Sequence, residues 1–327
     1  MIDFILENKE WLFSGAGVTA ILVAGGWLFK RSRYIPTAAQ PNLTSAVRVA
    51  LVQAQLPPAK NIQRNSEVAS IVNRFSRVLD LMNEKRTYGK FTIAGLAQLM
   101  KLHSVGELER VFLGSQEPSF EFIDHFCDTF GVNRNWLIEG KSAPFTGLEE
   151  THYDPLEYLE EIETLAPNRI YFIRSASDVG EVFLLLKLSD HKYRIVDRVW
   201  HISDHVGAGG QSQIFGMYQL ILALQKMGFN TTCGGRILPK DKFNDLLSGK
   251  VFPGSIIDFP AQENPWWDDF VDVHHKYPIS SSYESWYGKG FMAAQSIVRW
   301  KLKKNAERQG ANKSLNSDAP TSDAPVS

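Results

Sequence analysis

Three groups of side chains have the types and spacing to do chemistry. His201, Asp204 and His205 lie close together, and His274 and His275 follow farther on. A histidine pair at i, i+4 binds zinc when both imidazoles project from one helix face. The segment HISDHVGAGG reads instead as the end of a strand and a loop, so that face is not supplied and no metal or cofactor is expected. Gly207, Gly209 and Gly210 open a helix after a strand, where backbone N–H groups can meet an anion. Their spacing matches neither the Walker nor the dinucleotide fingerprint, which favours a tight strand-to-helix turn. Trp266, Trp267 and Trp286 lie beside Asp268, Asp269 and Asp272, a composition that binds a ligand or closes a core under an acidic rim. Ser281 lies near the later histidines, but no G-x-S-x-G nucleophile elbow is present. An enzyme would need His201, Asp204, His205, His274 and His275 to converge.

The elements that must position these residues make an α+β pattern over 151–304. Leu156 to Leu165 reads as a short acidic helix stopped by Pro167. Arg169 to Arg174, Glu181 to Leu188 and Lys192 to Ile202 are dense in β-branched, aromatic and aliphatic residues and read as strands, with Ser189, Asp190 and His191 as a hairpin loop. Helices are predicted over Gln211 to Met227, Lys240 to Leu247 and Tyr283 to Lys303. The polar tail 305–327 repeats Ser-Asp-Ala-Pro and is expected to be disordered.

Upstream, over 67–147, five short amphipathic helices can be placed. Val68 to Asn83 carries an apolar stripe at helical spacing. Thr92 can cap a helix to Leu102, Ser104 one from Val105 to Leu113, Ser119 one from Phe120 to Phe130, and Asn133 one from Arg134 to Ile138. Gly114, Gly131 and Gly140 stand where left-handed C-caps belong.

Residues 68–147 resemble the lambda-repressor and Cro-type (XRE-type) helix-turn-helix domain. Leu96 and Ala97 occupy its Leu-Ala positions, Ser104 the cap, Leu108 the buried position of the recognition helix, and Gly114, Pro118 and Ser119 the downstream pattern. Phe126 to Phe145, with Trp136 and Leu137, is similar to the family's closing segment. Val111 and Phe112 replace the aromatic-Glu pair of many members. The resemblance implies an all-α bundle whose Ser104, Val105, Gly106, Glu107, Glu109 and Arg110 face DNA. Glu107 and Glu109 would repel phosphates, although a glutamate can accept from a cytosine amino group. Nine Lys or Arg balance nine Asp or Glu between Val68 and Phe145, so the domain is neutral where most DNA-binding domains carry a basic face.

Trp11 to Phe29 contains no charged residue over 19 positions. As a helix it would be about 28 Å long, close to the hydrocarbon core of a bilayer. Trp11 and Trp27 lie near its ends, and Lys30, Arg31 and Arg33 follow. Residues 1–33 are therefore expected to form a single transmembrane anchor, with the N-terminus outside and the remainder in the cytoplasm of a bacterial inner membrane. Positive charges after the apolar run, not before it, argue against a signal peptide. Ala16, Ala20 and Ala24 form a small-residue face suited to self-association as a homodimer. The linker 34–66 is rich in Pro and Ala, and from Lys30 to Ser66 there are six positive charges and no acidic residue. It serves as a tether or adheres to anionic headgroups.

The whole chain, 327 residues with 44% apolar content, has the composition of a folded protein, and its net charge of -1 gives no global pull toward nucleic acid. Cys127 and Cys233 form no CxxC pair and fit free thiols. The sequence thus predicts one transmembrane helix, a helix-turn-helix bundle and an α+β domain, in a DNA-binding regulator with a sensory or partner-binding C-terminal half. The alternatives are a membrane scaffold whose helical module docks protein, and an enzyme at the histidines.

Overall fold

A computed structural model describes residues 66–145, 152–196, 198–258, 263–274, 283–288 and 290–317, with side chains as far as Gly310. The anchor residues Trp11, Trp27, Lys30, Arg31 and Arg33, the linker to Asn65, His275, Ser281 and the tail from Asp318 lie outside the described residues. Among the described residues no helix is long and apolar enough to cross a membrane.

The chain enters through α1 (Glu67–Asn83), whose cap Ser66 accepts from the Ala69 N–H. Thr92 caps α2 (Ile93–Leu99) through the Gly95 N–H. This helix ends earlier than the expected Leu102, because Lys101 takes a left-handed conformation at φ 55° and the Leu102 N–H turns back to the Ala97 carbonyl. After that turn comes α3 (Val105–Phe112), closed by Gly114 at φ 67° with the Ser115 N–H on the Arg110 carbonyl. Ser119 caps α4 (Phe120–Phe130) and Asn133 caps α5 (Arg134–Glu139); both helices end on left-handed glycines. Phe75, Phe126, Leu96, Leu108 and Leu137 fill the centre of this bundle, with the Phe75 and Phe126 rings 4.5 Å apart.

A 3-10 turn (Pro155–Tyr158) and α6 (Leu159–Leu165) lead into the sheet: β1 (Arg169–Ser175), β2 (Glu181–Lys187), β3 (Tyr193–Ile195), β4 (Trp200–His201) and, after α7 (Ala208–Lys226), β5 (Cys233–Leu238). The strand order is β3-β2-β1-β5, with β4 also antiparallel to β2 and β5 parallel to β1. The strand expected over 192–202 is split. Ile195 faces Leu185 and Trp200 faces Val182, so five steps on one side meet three on the other and one ladder cannot run through. Beyond β5 come α8 (Lys240–Leu247), α9 (Gly254–Ile257), α10 (Trp266–Val271), α11 (Tyr283–Tyr287) and α12 (Phe291–Ser317). The single helix expected over 283–303 is broken at Gly288 and Gly290, both at positive φ, and the resumed helix carries 305–317, expected to be disordered, as helix.

Both faces of the sheet are buried, which is why its central strands are nearly continuous apolar runs. Tyr171, Ile173, Phe183 and Leu185 point into a core shared with α1 to α5, α8 and α9. Ile170, Phe172, Val182 and Leu184 point into a second core with α6, α7, α10, α11 and α12. The helical bundle is thus one outer layer of an α+β structure.

Candidate functional site

The α2–α3 pair is built by local signals and held open by its neighbours. Asn83, at the end of α1, accepts from the Phe91 N–H and donates to the Phe91 carbonyl, both at 2.8 Å. This closes the loop 84–90 on itself, with the Arg86 guanidinium 4.5 Å over the Phe91 ring. Lys85 and Lys90 therefore stand exposed beside the start of α2, while Lys101 and His103 stand exposed between its end and α3.

On α3, Leu108 and Val111 are buried, and Ser104, Val105, Glu109 and Arg110 are exposed. Ser104 occupies the cap position but makes no capping bond; its hydroxyl lies 3.5 Å from Glu107 Oε1. Arg110 folds back over Gly106, and its Nε donates to Gln116 Oε1 at 2.9 Å. Leu113, just past the helix, is 71% exposed. The bundle's other end differs in charge. Glu67, Glu117, Glu121 and Glu139 rim a groove of about 780 Å³ at the starts of α1 and α4. The 17 residues of α1 put about 25 Å between Glu67 and the lysine-rich loop.

Docking onto the sheet uses Phe130, Phe145 and, from the loop 84–90, Arg86. Phe145 meets Phe252 at 5.5 Å, Phe130 meets the His191 ring at 5.8 Å, and the Phe145 N–H donates to the Gly249 carbonyl. A polar node closes the joint: Asp258 accepts from Tyr193 Oη at 2.7 Å and Lys187 Nζ at 2.8 Å, with Arg86 at 3.6 Å. Burial works against the Lys187 charge, but the bonds to Asp258 and Asp190 hold its ammonium above the usual lysine range. Burial, reinforced by Asp258, raises the Tyr193 phenol strongly.

His201 sits on β4 opposite Glu181, His205 is exposed beside Asp204 at 3.9 Å, and His274 is exposed after α10. Among the described residues no three His, Cys, Asp or Glu side chains are grouped to hold a metal. Glu181 is engaged by Lys240 and by Ser177 at 2.9 Å.

The glycine turn has a packing reason: a Cβ on Gly209 would lie 2.5 Å from Tyr153 Oη, and one on Gly210 2.6 Å from Val206 Cβ. Trp266 and Trp267 close the second core, Trp266 donating to the Phe172 carbonyl and Trp267 stacking on the Phe172 ring. Asp269 accepts from Tyr287 Oη and Asp268 from Gln225. Cys127 and Cys233 are buried, and burial pushes both thiols up to about 12.

Sequence reasoning missed Arg174, a fully buried guanidinium on β1. It donates to the Tyr287 carbonyl at 2.7 Å and the Ile202 carbonyl at 3.2 Å, between the Trp266 and Phe291 rings. Burial pushes it down to about 10. Its only signal in the sequence was a charge inside an apolar strand. Comparison with protein-family models, curated proteins and solved structures found no match.

Proposed function

We propose that this chain is a membrane-tethered helix-turn-helix protein that presents α3 to duplex DNA, with Trp11 to Phe29 as its anchor in a bacterial inner membrane and the sheet as a rigid backing. The observation that carries this reading is the separation of charge within the neutral bundle. Lys85, Lys90, Lys101 and His103 are exposed in the loops on either side of α2, where phosphates would run, with Glu84 and Glu109 the exposed acids beside them, whereas four carboxylates and Arg74 line the groove at the opposite end of α1. In this reading Glu109, exposed on α3, meets base edges, and Arg110 joins it on leaving Gln116.

The test is binding of the detergent-solubilised full chain to pooled genomic duplex DNA at low salt. Saturable binding that weakens in Lys90→Ala and Lys101→Ala supports the reading, and no binding sinks it. The exposure of Val105 and Leu113 on either side of Glu109 favours a second reading, in which α3 docks a protein. That reading gains if DNA is not bound and Leu113→Asp abolishes a self- or partner-association of the full chain.

A further inference from the structure

The last helix, α12, divides along its length. Phe291, Ala294, Gln295 and Val298 are fully buried against the second core, whereas Trp300, Lys303, Lys304 and Arg308 are exposed on the other side. Trp300, Lys304 and Arg308 follow at i, i+4 and i+8 and so form one stripe. Between Lys301 and Arg308 there are four cations against Glu307 alone. Trp300 is 47% exposed, with the Lys304 ammonium 4.7 Å and the Lys301 ammonium 5.8 Å from its ring centre.

We propose that this stripe rests on the anionic headgroups of a lipid bilayer. Indole rings favour the headgroup boundary, lysine and arginine beside them reach lipid phosphates, and each cation near an anionic surface strengthens binding about fivefold. Single-stranded nucleic acid would need open aromatic faces on which bases stack, and here lysines lie over the ring. The helix belongs to the layer opposite the helical bundle, so lipid contact at α12 leaves the bundle on the far side of the sheet. The inference rests on the membrane placement proposed above.

The test uses the full chain in nanodiscs, labelled with a fluorophore at Ala306→Cys, a site that is exposed while both native thiols are buried. Headgroup-nitroxide lipid should quench the label in phosphatidylserine discs and not in phosphatidylcholine discs. Lys304→Gln with Arg308→Gln should lower the docked-to-free ratio about 25-fold. Equal signals in both disc types, no quenching of a chain that stays with the discs, or a response to single-stranded RNA or DNA instead of lipid would overturn it. If the chain leaves the discs, the anchor reading fails, and quenching by added phosphatidylserine liposomes then decides α12 on its own, for or against.

Discussion

The two faces of the sheet are buried alike but sealed differently. On the α7 and α12 face a charge is enclosed at the centre: Arg174 is wholly buried, its guanidinium spent on two carbonyls and two aromatic rings, while Asp268 and Asp269 take polar contacts at the edge. On the helical-bundle face the seal is rings at the centre and a polar node at the edge, where the Asp258 carboxylate and the Arg86 side chain each keep 20% exposure. A fully enclosed polar group leaves unpaired partners when it is removed, whereas a rim group is partly replaced by water. The difference teaches that the face enclosing Arg174 should govern overall stability, while the Asp258 rim governs how firmly the bundle, and with it α3, is held.

The largest effect should come from Arg174→Ala. It leaves a cavity and unpaired carbonyls and should destabilise by about 3–5 kcal/mol, seen as a lower urea midpoint for labelling of Cys233. Arg174→Met, which keeps volume, should lose less. At the joint, Phe145→Ala removes the ring packed on Phe252 and should cost about 3 kcal/mol, with Cys127 becoming reactive before Cys233. Equal shifts at both thiols would erase the distinction between the faces.

Asp258→Asn is the milder probe of the rim and should cost about 1 kcal/mol. Its pH signature has a definite sign. Lys187 and Tyr193 are both raised in the folded protein, so the stability they contribute is full below their unfolded values, near 10, and is lost as pH rises through the folded ones. The joint should therefore loosen above about pH 10, with Cys127 reporting it, and Asp258→Asn should flatten that dependence. The smallest effect is on the native thiols: both should label at pH 8 far more slowly than free cysteine, since burial holds them protonated.

How much of this was legible follows from the range of each signal. Thr92, Ser119, Asn133, Gly131 and Gly140 act within a few residues, so the helices of the bundle could be placed from them. Lys101 in the left-handed region ended α2 early because nothing in its type announces that conformation. The strand β5 was missed because Gly234 and Gly235 lower strand propensity. They are there because Asn264 approaches so closely that a Cβ on Gly235 would lie 2.1 Å from its carbonyl oxygen. Neither the Asp258 node nor Arg174 could be read, since their partners lie far away in sequence and meet only through the tertiary fold. Among the site residues, α3 was legible as an element, but the fold-back of Arg110 onto Gln116 and the missing capping bond at Ser104 depend on side-chain conformations that no local pattern specifies.

The central claim is that the lysine-flanked end of the bundle meets DNA phosphates, and salt dependence tests it most directly. With Lys85, Lys90 and Lys101 engaged, the logarithm of the affinity of the full chain for duplex DNA should fall with the logarithm of salt at a slope of about -2.7, easing to about -0.9 in the Lys90→Ala, Lys101→Ala double variant. No binding at low salt, or the same slope in both proteins, would contradict it.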